Sequence, residues 1–232
     1  MALPKLTAPT YELDLPSTGR KVKFRPFLVK EQKLLMIAEE SKDEKQIAET
    51  IQQLINSCTY GKVDALISPI FDIEYVFLQL RMRSVGGNVT LTITCPDDNT
   101  TEANIKINLE DVNVLNDEKH TNIIEITDNI KMIMKYPQLS DMQDMKDTTE
   151  NMFKLINKCI LEVHDGDTIH NKNDITKKEL NEFIDSFNTN QLEKLMQFFE
   201  TMPKIRHIVN VTNPKTKVIS EVTLEGMETF LV

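Results

Sequence analysis

The 232-residue chain has no apolar run approaching the ~20 residues that a bilayer-spanning helix requires, and its start lacks the charged-then-apolar layout of a secretory signal. These absences lead to the expectation of a protein made and used in the cytosol without membrane contact. Cysteine is scarce: Cys58, Cys95 and Cys159 are odd in number and widely spaced, which does not describe a disulfide framework. Basic residues are the minority, 27 Lys and Arg against 36 Asp and Glu, for a net charge of -9. That balance argues against a sequence-independent nucleic-acid surface, which rests on cations neutralising phosphates. The six glycines form no phosphate-cradling loop, and G-x-S-x-G and H-E-x-x-H are missing. What is present, 40% hydrophobic and 27% charged residues, is the composition of an ordinary soluble globular protein of one or two domains with a substantial core.

Periodicity then assigns elements along the chain. Tyr11 to Leu15 and Lys21 to Arg25 alternate apolar with polar residues around Pro16-Ser-Thr-Gly19, which predicts a half-buried hairpin closed by Pro26. Leu28 to Glu40 is rich in helix formers. Ser41-Lys-Asp-Glu44 fits a capping box for a second helix, whose Ile47, Ile51, Leu54, Ile55 and Cys58 share one stripe. A hairpin is expected for Val89 to Cys95 with Ala103 to Leu109, and another for Ile123 to Thr127 with Asn129 to Tyr136. Ser140-Asp-Met-Gln143 can cap a helix carrying Met152, Leu155, Ile156, Cys159 and Val163; Val163 to Asp174 reads as a polar loop or short hairpin. Thr176-Lys-Lys-Glu179 is a further capping box, and a second helix after Asn188 completes a helical pair ending at Met202-Pro203. The tail from His207 to Leu224 repeats the style of Asn88 to Val112: β run, turn, β run. The expected fold class is α+β, helical blocks combined with antiparallel β-hairpins and no parallel doubly wound sheet. Its expected domains are residues 1–137 and 138–232, with one integrated domain as the alternative.

The helix expected from Ile70 to Ser84 departs from ordinary amphipathicity. At 100° per residue, Asp72, Gln79 and Arg83 form one polar stripe and Glu74 and Arg81 another nearly opposite. Two apolar faces are left, Ile73, Phe77 and Leu80 on one side and Phe71, Tyr75, Leu78 and Met82 on the other. A surface helix needs only one such face. The arrangement predicts either a central helix sandwiched within the fold or a helix whose Phe71, Tyr75, Leu78 and Met82 meet another protein, aromatic and Met residues being favoured in interface cores.

Constellations for chemistry are incomplete. Cys95-Pro-Asp-Asp is half of a zinc-ribbon knuckle without the second cysteine or a second pair. Counted from Asp165, the acidic segment to Thr176 has His170 where a calcium loop needs Gly and Thr176 where it needs Glu. His120, His164, His170 and His207 have no recognisable nucleophile nearby in sequence and read as exposed. Glu39-Glu40 and Asp97-Asp98 read as a solvated helix end and a turn. No catalytic residue, metal ligand or cofactor is therefore predicted.

The opening block through Gln46, with Tyr11-Glu-Leu-Asp-Leu15, Pro16-Ser-Thr-Gly19, Lys21-Val-Lys-Phe-Arg25 and Pro26-Phe27, resembles in order and wording the start of the baseplate hub proteins of T-even-type contractile-tailed bacteriophages. Ile67 to Gly86 is similar to that family's central helix, and Asp174 to Asp185 with Phe198 to Pro203 to its C-terminal half. The resemblance implies a role in building the hub of a tail baseplate, as a subunit or as an assembly chaperone that leaves. Its implied partners are other hub or tail proteins, met in the host cytoplasm during assembly and in the virion. No motif residues define chemistry in that family. A rival from another class is a hydrolase or metal enzyme built on Cys95 and His207.

Overall fold

The computed structural model describes residues 6–142, 148–226 and 229. The chain opens with the expected hairpin, β1 (Tyr11–Asp14) and β2 (Lys21–Phe24), in which Leu13 pairs with Val22 and both point inward. Helix α1 (Val29–Ser41) follows, and at its start the buried Glu31 carboxylate accepts the Leu28 N–H at 2.7 Å. It ends with Lys42 in the left-handed region at φ 53°. Helix α2 (Glu44–Cys58) is capped by Asp43, whose side chain accepts the Lys45 N–H at 3.0 Å. The expected cap from Ser41 does not form, because α1 runs through Ser41 and its hydroxyl donates back to the Ala38 carbonyl at 2.6 Å.

Helix α3 (Ile70–Val85) begins immediately after Pro69 and stops at Gly86, where φ is 103° and a side chain would strain the backbone. The strands β3 (Asn88–Thr94) and β4 (Glu102–Asn108) then pair antiparallel, with Val89 opposite Ile107 and Leu91 opposite Ile105. A short 3-10 turn at Leu109–Asp111 leads into β5 (Asn113–Leu115).

Next come β6 (Ile123–Glu125) and β7 (Ile130–Met134), the hairpin expected around Asp128-Asn129, and a short helix α4 (Leu139–Met142). Gln143 of the expected cap lies outside the described residues. Helix α5 (Thr149–Cys159) is instead capped by Thr148, which accepts the Asn151 N–H. It stops four residues before Val163, where β8 (Ile160–Asp165) takes over and pairs with β7 and with β9 (Thr168–Asn171). Helix α6 (Lys177–Asp185) carries the predicted box: Thr176 N–H donates to Glu179 at 2.8 Å, and Glu179 N–H to the Thr176 hydroxyl at 3.2 Å. Helix α7 (Thr189–Thr201) has a second box, from Asn188 and Gln191. The chain ends in the antiparallel pair β10 (Lys204–Thr212) and β11 (Ile219–Glu225).

All pairings among the described strands are antiparallel, and the fold is α+β. It forms two compact units, one comprising Met1–Leu115 with Lys204–Val232 and the other Asn116–Pro203. The sequence division at residue 137 kept the terminal hairpin with the C-terminal helices. In the structure β10 pairs with β5, Ile205 opposite Val114, which returns that hairpin to the first unit.

The first unit buries two principal clusters, on opposite sides of α3. One combines Leu13, Val22, Phe24, Ile51, Leu54, Ile55 and Cys58 with Ile73, Val76, Phe77 and Leu80. The other combines Leu78 and Met82 with Val89, Leu91, Ile107, Ile205 and Leu224. The second unit has its own core, Met132, Met134, Ile156, Cys159, Ile160, Leu180, Leu195 and Phe198, in which α5, α6 and α7 cover the sheet β6-β7-β8-β9.

Candidate interaction site

Helix α3 is where the sequence placed its candidate contact residues. Phe71, Leu78 and Met82 are buried and Tyr75 is half-buried; Leu78 and Met82 lie in the cluster shared with β3, β4 and β10, and Tyr75 packs against both clusters. Both apolar faces are thus covered within the first unit, as a helix apolar on two sides requires. The polar stripes are absorbed as well. Asp72, 1% exposed, accepts the Ser17 N–H at 2.9 Å and the Ser17 hydroxyl, tying the helix to the β1–β2 turn. Burial pushes the Asp72 carboxyl upward from its ordinary range, and the two Ser17 hydrogen bonds oppose that. Ser84 accepts the Phe27 N–H at 2.9 Å, and the Arg83 guanidinium stands 5.0 Å from the centre of the Tyr11 ring.

A second polar device anchors α1. Arg25 donates to Glu31 at 2.8 Å, and both side chains are largely removed from water, 14% and 6% exposed. Burial alone would raise the Glu31 pKa, but hydrogen bonds from Arg25 and from the Leu28 N–H, with the Arg25 charge, bring it below the usual carboxylate range. The same guanidinium stands 3.6 Å from the Cys58 sulfur.

The cysteines and histidines lie apart from any assembled centre. Cys58, Cys95 and Cys159 are free, buried thiols; burial pushes Cys58 up to about 11 and Cys159 up to about 12, far from the reactive thiolate. The Cys95 turn locks two hairpins together instead of presenting a knuckle. Asp98 accepts the N–H groups of Thr100 and Thr101, while Asp97 accepts from the Asn213 amide at 2.9 Å and the Thr216 hydroxyl at 2.5 Å across the β10–β11 turn. The two β–turn–β segments that echo one another in sequence therefore meet at their tips, a contact between residues 116 positions apart.

The acidic segment at Asp165-Gly-Asp167 is the tight turn between β8 and β9, with Gly166 at φ 58°. Among the described residues no group of three or more His, Cys, Asp or Glu is placed to hold a metal ion. The expectation of exposed histidines holds for His170 and fails for His164, His207 and His120, which are half-buried. The His120 ring lies 5.5 Å from the Tyr136 ring and 5.2 Å from Phe198, with Nδ1 3.0 Å from the Thr201 hydroxyl. Burial lowers its pKa, and the Asp117 charge acts in the opposite direction. The sequence gives this site no signal, because its members come from a loop, a strand end and α7.

What faces solvent is of another kind. On α1 the large apolar side chains Val29, Leu34, Met36 and Ile37 are all exposed, although every residue of the stretch reads simply as a good helix. Only Glu31 and Ala38 of α1 are buried. Ile208, Val218 and Ile219 are exposed on the terminal hairpin, whose β11 forms one edge of its sheet. The strand β9, exposed along its whole length, forms an edge of the sheet in the second unit. Unpaired N–H and C=O groups on such edges can take an added strand. The described surface thus offers apolar helix and strand-edge contacts.

No helix among the described residues is long and apolar enough to cross a membrane. No curated protein and no solved structure shows a significant match to the chain. A family model described as T4 bacteriophage base plate protein matches residues 8–232, a span that runs through both units. By that match the chain belongs to the T4 bacteriophage base plate protein family.

Proposed function

We propose that the protein is a non-enzymatic subunit of the baseplate hub, retained in the virion and acting through contacts with central tail proteins. The observation that carries this reading is the extent of the family match: it runs from residue 8 to residue 232, so both units belong to the baseplate assignment. The hub position is supported by the resemblance of the hairpin and helix block from Tyr11 to Glu40 to the start of hub proteins of T-even-type phages. A non-enzymatic mode is supported by where the reactive groups sit, with Cys95 buried and the Asp97 and Asp98 carboxylates engaged within hairpin turns.

The contacts run through the exposed Ile208, Val218 and Ile219 of the terminal hairpin and the free edges of β9 and β11, since α3 is used by the core. Affinity capture from infected cells after crosslinking tests this reading. Central tail proteins are the expected captures, with crosslinks from Lys215 and Lys217 of the terminal hairpin. Capture of no tail protein would remove the hub assignment. Metal analysis with Cys95→Ser and His207→Ala variants tests the enzymatic rival: bound metal, or assembly lost in both variants, would favour it.

A further inference from the structure

Helix α1 is apolar on the side turned to solvent. Val29, Met36 and Ile37 are 67%, 53% and 54% exposed, while Leu35 and Ala38 hold the opposite side against the unit's own core and α2. At 100° per residue Val29, Lys33, Met36, Ile37 and Glu40 fall within roughly 100° of arc, forming a single stripe along the helix. Its charges have a direction. Lys30 and Lys33 lie toward the N-terminus and Glu39 and Glu40 toward the C-terminus, each against the sign that the helix macrodipole favours. Among the described residues, Lys33, Glu39 and Glu40 have no ion-pair partner in the chain.

We propose that this stripe is the contact between two copies of the chain, with the α1 helices packed antiparallel about Met36 and Ile37. An antiparallel two-fold arrangement that sets Met36 against Ile37 of the second copy also sets Lys33 against Glu40 of the second copy, and Glu40 against its Lys33. Lys33 and Glu40 of each copy then find their opposites, the two macrodipoles run counter to one another, and the apolar centre leaves water. A parallel arrangement would set like charges together. A partner of uniform charge would satisfy one half of the stripe and repel the other, so the alternation of sign selects a second copy. The two-fold operator is the commonest in soluble assemblies, and the same patch serves both copies. A 13-residue helix is about 20 Å long, so the contact is smaller than a standard protein interface and the dimer is a weak one.

Sedimentation velocity on the full chain, from roughly 5 to 500 µM, is the test. The expected result is a concentration-dependent shift from monomer to dimer. Lys33→Glu and Glu40→Lys, both at exposed positions and checked for native circular dichroism, are each expected to weaken the dimer about tenfold or more, because each sets like charges face to face. Mixing the two variants restores both pairs and is expected to produce a heterodimer of wild-type strength. A monomer at all concentrations would overturn the proposal and leave the stripe to a different chain. Self-association that survives both substitutions, or a mixture that stays monomeric, would overturn it equally. The pairing does not rest on the hub reading: a monomeric result leaves capture of tail proteins untouched, and failed capture leaves the dimer untouched.

Discussion

Truncating the central helix on each of its two sides gives a quantitative test of the packing. Leu80 is fully buried against the N-terminal hairpin and α2, and Leu78, 3% exposed, is buried against β3, β4 and β10. Leu→Ala removes three carbons, about 2.4 kcal/mol at ~0.8 kcal/mol per buried methylene. The cavity left in a close-packed site adds to this, for an expected loss of about 3 kcal/mol at each position. With a urea m-value of about 2 kcal/mol/M, each substitution lowers the unfolding midpoint by about 1.5 M. Because the two side chains lie in different clusters, the double variant is expected to lose close to the sum. Equilibrium urea unfolding followed by circular dichroism supplies the numbers, with the m-value as a check that the transition has not changed character. A loss below about 1 kcal/mol for Leu78→Ala would refute the reasoning, since it would mean that this face of α3 is not packed in the core. A wild-type midpoint combined with failed tail-protein capture would return the face to the interface role.

Two further outcomes follow from the polar anchors. Glu31→Gln leaves the Arg25 guanidinium buried without its counter-charge and is expected to cost about 3 kcal/mol in the same urea assay; a change within experimental error would show that the pair does not hold α1 in place. His120 is neutral in the folded state down to lower pH than a free imidazole. The unfolded chain therefore binds more protons below pH ~6.5, and the stability this group contributes is complete above that value and declines as the pH falls toward the lowered folded pKa. Thermal unfolding at pH 7.5 and 5.5 checks this: wild type is expected to lose more stability across that interval than His120→Phe, and equal losses would contradict the burial of the ring.

Much of the architecture was legible because its signals are local. Alternation around turn residues predicts β1–β2, β3–β4 and β6–β7, and the two opposed stripes of α3 predict a helix needing cover on both sides. Thr176 and Glu179 cap α6 as their spacing requires. Local patterns fail where two readings share a spacing. Val163 lies four residues after Cys159, which a helix accepts, yet Ile160 begins a strand that has β7 on one side and β9 on the other. Ser41 and Asp43 both offer a cap, and the choice depends on where α1 stops, at Lys42 in the left-handed region.

Contacts between distant segments have no such signature. The pairing of β10 with β5, the Asp97 to Asn213 tie between hairpin tips, and the Ser17 anchor of Asp72 each join residues with no periodic relation. The exposed stripe of α1 was hidden for a related reason. Its apolar residues surround the helix, so the pattern identifies a helix but does not tell which side the core takes.

Mass spectrometry of purified virions after crosslinking tests the central claim most directly. The expected result is that peptides of both units are present in mature particles and are crosslinked to central tail proteins through lysines of the exposed surface, Lys215 and Lys217 of the terminal hairpin among them. Particles that lack the protein, formed in cells where it is captured with tail proteins, would contradict the subunit assignment and make it an assembly factor that leaves.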